Sequence, residues 1–294
     1  FYTAQNIPSY LFNGMIHPLI PAAFAGVLWY QGEANTDHAR QYQAAFSLMI
    51  ADWRAKWGRG DFPFFFCQLP VFWFPDTDAV ASVRSKWAEM REAQTRALAL
   101  PNTGEAVLID AGEAQDIHPA DKATPADRLA RLALARVYGK KIADAGPIFD
   151  SMGCEGSQIR IRFRHADGGL VAKPLPATYF PKSSEPKTLP LPVNSPGSEV
   201  QGFVLCGADG VWHWAMAKID GDSVVVSSPE VPDPAEVRYA WAQFPACNLY
   251  NGAGLPAEPF RTDAFPGLTD ALLYGDMASD GPGSSPTPGA LPAK

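Results

Sequence analysis

The chain has 294 residues, with 24 basic against 31 acidic side chains, a formal net charge of −7, 47% hydrophobic and 19% charged residues. The acidic balance argues against nucleic acid or an anionic membrane as partner. No apolar run reaches the roughly 18 residues of a membrane span; the nearest, Phe62 to Phe74, is broken by Pro63, Gln68 and Pro70. The composition is that of a soluble globular chain of about two domains.

The chain opens on "FYTAQNIPSY", without an initiator Met, a basic segment or an apolar signal core. That start carries no targeting information and reads as a cut in mid-protein. "GVLWYQGE" predicts a short apolar strand running into polar residues, and "QYQAAFSLMIADWRAKWG" a helix with Tyr42, Phe46, Met49, Ile50, Trp53 and Trp57 on one face, stopped by Gly58. "DFPFFFCQL" predicts a strand buried on both faces, "SVRSKWAEMREAQTRALAL" a helix, and "EAVLID" a third strand. A further helix is announced by Thr124 as N-cap, Pro125 at its first position, Asp127 at N3 and Gly139 past its end. Strands alternating with helices predict an α/β layer with a mainly parallel sheet over residues 1–145.

From Pro147 the pattern changes to short alternating segments such as "SQIRIRFRHADGG", "QGFVLCG" and "VWHWAMAKIDGDSVVVSS". These predict an all-β, sandwich-like domain over residues 146–270. "PLPATYFPKSSEPKTLPLPVNSPGS" reads as a long surface loop, and residues 271–294 as a flexible tail. The four cysteines, Cys67, Cys154, Cys206 and Cys247, lack zinc-ligand spacing and read as free thiols, with one disulfide left open.

In open α/β sheets functional groups collect at the carboxyl ends of strands, where Gln31-Gly32-Glu33 and the stretch Asp110 to His118 both fall. Asp116 stands two residues before His118, and a carboxylate that orients an imidazole suits a general base; the plain alternative is a pair of ordinary loop residues. Trp29, Tyr30, Phe72, Trp73 and Phe74 are core or sugar-stacking residues, with Trp29 the better core candidate and Trp73 open. Arg59-Gly60-Asp61 reads as turn chemistry. His17 has no assignable role, and His38, His165 and His213 lack acidic or cysteine partners at ligand spacing and read as surface or strand residues.

"WYQGE", "DWRAKWGRGDFPFFFCQL", "WAEMREAQ", "IDAGEAQDIHPADK", "RLARLALARVYG" and "VRYAWAQFPACNLYNGAGLPAEPFRTD" occur in this order. Together they resemble the sialate O-acetylesterase family of SGNH-type hydrolases, from Leu11 to Asp263. The resemblance implies a flavodoxin-like three-layer α/β core, incomplete at its N-terminus, followed by the β domain. It also implies hydrolysis of sugar O-acetyl esters by a serine, a histidine and an acid, with no metal or organic cofactor. Such enzymes are usually exported or lysosomal, although this chain's own compartment is unread.

By the same resemblance His118 takes the place of the catalytic histidine and Asp116 that of its acidic partner. The widest SGNH pattern puts the acid at the position of Gln115, so Glu33 competes with Asp116 for the role. Gln31 can donate to a developing oxyanion, Gly32 permits the tight backbone beside it, and Trp73 is a candidate sugar contact. No "GQSN"-type nucleophile block is present. Gly221-Asp222-Ser223 reads as a β-hairpin, and Ser9, Ser47, Ser82 and Ser85 lack a Gly-flanked elbow. The serine is therefore expected upstream, and the chain alone is expected to be inactive or nearly so. Two other readings stay open: an acetylxylan or plant-polysaccharide acetylesterase, and a carbohydrate-binding protein without catalysis.

Overall fold

The computed structural model describes residues 7–73, 78–114, 116–175, 178–179, 189–190 and 193–272. After short helical turns over Phe12–Ile16 and His17–Leu19 comes strand β1 (Val27–Trp29), then a 3₁₀ turn over Glu33–His38 and helix α1 (Ala39–Trp57). Tyr42, Phe46 and Ile50, spaced by one helical turn, form the buried stripe of α1. Gly58, left-handed at φ 61°, closes it by donating its N–H to the Arg54 carbonyl.

Strands β2 (Phe64–Cys67) and β3 (Val71–Phe72) follow, then helices α2 (Ala79–Ser82) and α3 (Lys86–Thr95), strands β4 (Thr103–Ala106) and β5 (Gly112–Glu113), and helix α4 (Ala123–Arg136). β1, β2 and β4 make a parallel sheet with β2 in the middle. Its side chains alternate between two helical layers. Phe64 and Phe66 pack with Phe46, Ile50, Trp87 and Met90 of α1 and α3, while Phe65 and Cys67 pack with Leu129 and Leu132 of α4. Burial on both faces explains why β2 is apolar at every position.

Three local expectations are corrected. The third strand is Thr103–Ala106 rather than the "EAVLID" run, because the parallel register with Phe64–Cys67 places it there; pairing overrides the poor strand propensity of Thr-Gly-Glu-Ala. The helix expected over the 82–100 region breaks, with Ser85 as N-cap of α3 accepting from the Ala88 N–H and a 3₁₀ turn over Arg96–Ala99. α4 is capped by Asp121, whose carboxylate accepts from the Ala123 and Thr124 N–H groups and the Thr124 hydroxyl. An aspartate one turn earlier thus replaces Thr124 in that role.

The remaining strands are β6 (Ile148–Glu155), β7 (Gln158–Arg164), β8 (Leu170–Ala172), β9 (Thr178–Tyr179), β10 (Leu189–Pro190), β11 (Phe203–Cys206), β12 (Trp212–Trp214), β13 (Met216–Asp220), β14 (Ser223–Ser227), β15 (Glu236–Tyr239), β16 (Leu249–Asn251) and β17 (Phe260–Arg261). Two four-stranded antiparallel sheets, β13-β14-β7-β6 and β12-β11-β15-β17, contribute to one apolar cluster. Ile159, Ile161, Val224 and Val226 enter it from the first sheet, and Phe203, Leu205, Val237 and Tyr239 from the second. The cluster also takes Val71, Val107, Ile109 and Ala114 from the α/β layer. The fold is therefore mixed α/β with several sheets and a core shared across them. Most of the predicted long loop up to residue 192, and the predicted tail from residue 273, lie outside the described residues. All four cysteines are free, and among the described residues no helix is long and apolar enough to cross a membrane.

Glu105 of β4 and Glu258, just before β17, line a cavity of about 40 Å³ between the α/β layer and the β strands. Burial pushes both carboxyls up, Glu258 to about 7, and Glu105 is raised further by Glu258 itself. The folded state thus binds protons that the unfolded chain releases above the ordinary glutamate range. This contribution is fully present below that range and is lost as pH rises toward about 7. Glu258→Gln should therefore match the wild type near pH 5 and exceed it at pH 8 by on the order of 1–3 kcal/mol, read from denaturant midpoints at both pH values. A variant destabilised at pH 8 would show that the ionised carboxylate is needed.

Candidate active site at the carboxyl edge of the parallel sheet

β1 ends in the aromatic layer, where Trp29 packs against Phe46, Trp53 and Phe64, so Trp29 is core. The chain then turns through Gln31-Gly32-Glu33. Tyr42 of α1 donates its hydroxyl to Gln31 Oε1 (3.0 Å), and Gln31 Nε2 donates to Asn35 Oδ1 (2.8 Å). Burial pushes the Tyr42 phenol up to about 12, so it remains a donor at neutral pH. With Tyr42 donating to Oε1 and Asn35 accepting from Nε2, the second Nε2 hydrogen is left for another acceptor. Gly32 has φ +157°, and a Cβ there would lie 2.8 Å from Gln94 Nε2. Glu33, half-buried, opens the following 3₁₀ turn.

The histidine loop is built by a second parallel contact. β3 pairs with β5 through Val71↔Gly112 and Phe72↔Glu113. Gly112, at φ +110°, is obligatory, since a Cβ would meet the Val71 carbonyl oxygen at 2.2 Å. Buried Glu113 accepts the Ala120 N–H at 2.7 Å and closes the loop at its far end. Ile117 packs into the cluster that holds Trp29, Tyr42 and Phe72. With Ile117 held inward, its neighbours Asp116 and His118 face solvent. Asp116 Oδ1 accepts the His118 backbone N–H at 2.8 Å and lies 3.9 Å from His118 Nδ1. Gln115 falls outside the described residues.

Trp73 follows the Phe72↔Glu113 pair, which brings it abreast of this loop. It is 54% exposed with φ +71°, a left-handed conformation unusual for a bulky residue. Asp110, another acid of the same edge, is already engaged: Arg128 grips both its oxygens at 2.6 and 2.8 Å, and the Tyr250 hydroxyl donates at 3.0 Å.

Sequence reasoning missed three residues of this architecture. Glu113 lies inside the quoted histidine motif but had no assigned task; Tyr42 reads only as part of an apolar helix face; Gln94 is a polar residue at the end of a helix. Each is identified by a long-range contact that periodicity does not carry. Two histidine readings are also corrected. His213 Nδ1 lies 2.6 Å from Glu230 Oε2, an acidic partner brought by the fold, and His38 is buried rather than on the surface.

Gly221-Asp222 is the hairpin loop between paired Asp220 and Ser223, whose hydroxyl is engaged with Arg160 and the Asp220 carbonyl. Ser82 and Ser85 are buried and serve helix termini, Ser47 lies within α1, and Ser9 precedes the first helical turn. Among the described residues no group of three or more His, Cys, Asp or Glu side chains could hold a metal ion.

Known proteins similar to this chain are carbohydrate esterases. A family described as carbohydrate esterase, sialic acid-specific acetylesterase, matches residues 8–139. Sialate O-acetylesterase of Mus musculus is 29% identical over 281 residues, covering 88% of this chain and 48% of the relative. The Homo sapiens protein is 28% identical over 291 residues, covering 90% and 51%. A carbohydrate acetylesterase from Xanthomonas citri superposes with a TM-score of 0.73 at 38% identity, covering 87% of this chain and 54% of that one. The chain spans about half the length of the relatives it matches. Over these stretches the chain is similar to sialate O-acetylesterases and to a carbohydrate acetylesterase.

Proposed function

We propose that this chain carries the base, the acidic partner and an oxyanion donor of a serine-type esterase that removes O-acetyl groups from sugars, with the serine supplied by sequence preceding residue 1. The observation that carries the reading is the pairing of Asp116 with His118 on an anchored loop, at the same sheet edge as an amide of fixed orientation in Gln31. In this reading the serine attacks the acetyl carbonyl while His118 takes its proton. The tetrahedral oxyanion receives the remaining Gln31 Nε2–H. Collapse releases the sugar hydroxyl, which regains a proton from His118, and water then hydrolyses the acyl-enzyme. Asp116 orients the imidazole, with Glu33 as its competitor. Sialic acid is the sugar in the names of the mammalian relatives, whereas the bacterial relative's description is the broader carbohydrate acetylesterase.

Residues 1–145 are read as a flavodoxin-like SGNH unit, 146–270 as a β-sandwich-like accessory domain and 271–294 as a tail. The upstream serine draws support from β1. Among the described residues β2 is its only partner strand, and Leu28, opposite the aromatic layer, is 60% exposed. An edge of this kind accommodates a further parallel strand.

The test is release of acetate from O-acetylated sugar and from p-nitrophenyl acetate, by this chain and by a version extended upstream. Activity is expected in the extended protein, with kcat falling about 10²–10⁴-fold in His118→Ala. Activity unaffected by that substitution would remove His118 from the mechanism. Asp116→Asn is expected to cost more than Glu33→Gln, and the reverse order would transfer the acidic role. Trp73→Ala should raise KM for the sugar ester about 5-fold or more and leave p-nitrophenyl acetate hydrolysis unchanged, as lost stacking requires; equal effects on both substrates would contradict a sugar contact.

A further inference from the structure

β1 and β2 separate where the active edge begins. Their last ladder pair is Trp29↔Phe66, and beyond it the Gln31 carbonyl and the Leu69 N–H no longer bond each other across the sheet. Both groups are satisfied by one side chain. Gln94, on the last turn of α3 and 1% exposed, donates Nε2–H to the Gln31 carbonyl at 3.0 Å and accepts the Leu69 N–H on Oε1 at 2.9 Å. Its amide sits between the strands as a peptide unit would, continuing the ladder through a side chain.

The backbone has been shaped around this amide. At Gly32 the three nearest atoms to an added Cβ would be Gln94 Nε2 at 2.8 Å, Met90 Cε at 3.0 Å and Leu69 Cδ2 at 3.2 Å. The glycine and the glutamine therefore require each other. One turn earlier on the same helix, Arg91 donates to the Leu69 and Pro70 carbonyls, so α3 holds the β2 exit at both polar faces of its backbone.

We infer that Gln94 is a positioning residue that sets where the Gln31 amide and the Glu33 carboxylate stand, by bridging the ends of β1 and β2. It touches no substrate; its effect on catalysis passes through Gln31. That catalytic part rests on the esterase reading, whereas the bridging part does not.

Two variants separate this role from space-filling. Gln94→Leu keeps the volume and loses both bonds. Gln94→Glu restores both when protonated, since a carboxylic acid can donate to the Gln31 carbonyl and accept from Leu69, and loses the donor when ionised. The polar neighbours that bear on its titration are Tyr42 from α1, Arg91 from α3 and Glu33 beyond Gly32.

Hydrogen exchange measured by mass spectrometry over residues 27–36 and 64–73, each variant compared with wild type at the same pH, reads the bridge without any enzymatic activity. The expected result is at least about 10-fold faster exchange in both segments for Gln94→Leu at pH 5 and pH 8, and for Gln94→Glu at pH 8 only. Residues 216–227 should be unchanged. Gly32→Ala, which displaces the amide, should reproduce the leucine pattern. Where the wild type is active, kcat should follow the same pH pattern, with a loss of about 10²-fold and little change in KM.

Wild-type exchange in both Gln94 variants at both pH values would overturn the bridge. Loosened exchange with unaltered kcat would overturn the positioning role while leaving the bridge intact. An inactive upstream-extended wild type with the expected exchange pattern would instead count against the esterase reading.

Discussion

A guanidinium that, among the described residues, is held by carbonyls rather than by a carboxylate joins the layers of this molecule. Arg91 is 1% exposed and donates to four carbonyls: Leu69 and Pro70 at the exit of β2, and Ala242 and Gln243 from the β region. Burial lowers its pKa to about 9, which leaves it charged at neutral pH, and the carbonyl dipoles take the place of a counter-ion. Removing the fork would strand four buried acceptors at once, and each such loss costs roughly 1–3 kcal/mol. The contact lies where α3, the parallel sheet and the antiparallel strands meet. The geometry of the sheet's carboxyl edge therefore depends on the β region being docked.

The same economy recurs around the candidate site. Glu113 closes the histidine loop, Asp121 caps the helix after it, and Asp110 joins α4 to Tyr250. These three carboxylates are each engaged in contacts that hold the backbone around the loop. The candidate site residues sit on loops whose ends are fixed by buried polar contacts, with Ile117 and Gly112 setting the path between. Side chains that face solvent are thus placed by backbone that does not.

What the sequence made legible follows from the range of the interactions involved. Alternation of strands and helices, the burial of Phe64 to Cys67 on both faces and the apolar stripe of α1 are local patterns, and they hold. The Asp220–Ser223 hairpin was readable for the same reason. The third strand was misplaced because Val107, Leu108 and Ile109 look more strand-like than Thr103 to Ala106; they are buried, but the ladder with β2 is decided by register. Tyr42 orienting Gln31, Gln94 bridging two strand ends and Glu230 meeting His213 join residues 11, 63 and 17 positions apart. No periodicity encodes such contacts, and only the ordered string of motifs pointed to the site as a whole.

We propose a divided active site, with base and oxyanion donor within these 294 residues and the nucleophile before them. Peptide mapping after treatment with a fluorophosphonate, which modifies activated serines, tests it most directly. No adduct is expected on this chain alone, and in the upstream-extended protein one adduct is expected on a serine preceding residue 1, lost in His118→Ala. A His118-dependent adduct on any serine within the chain would contradict it.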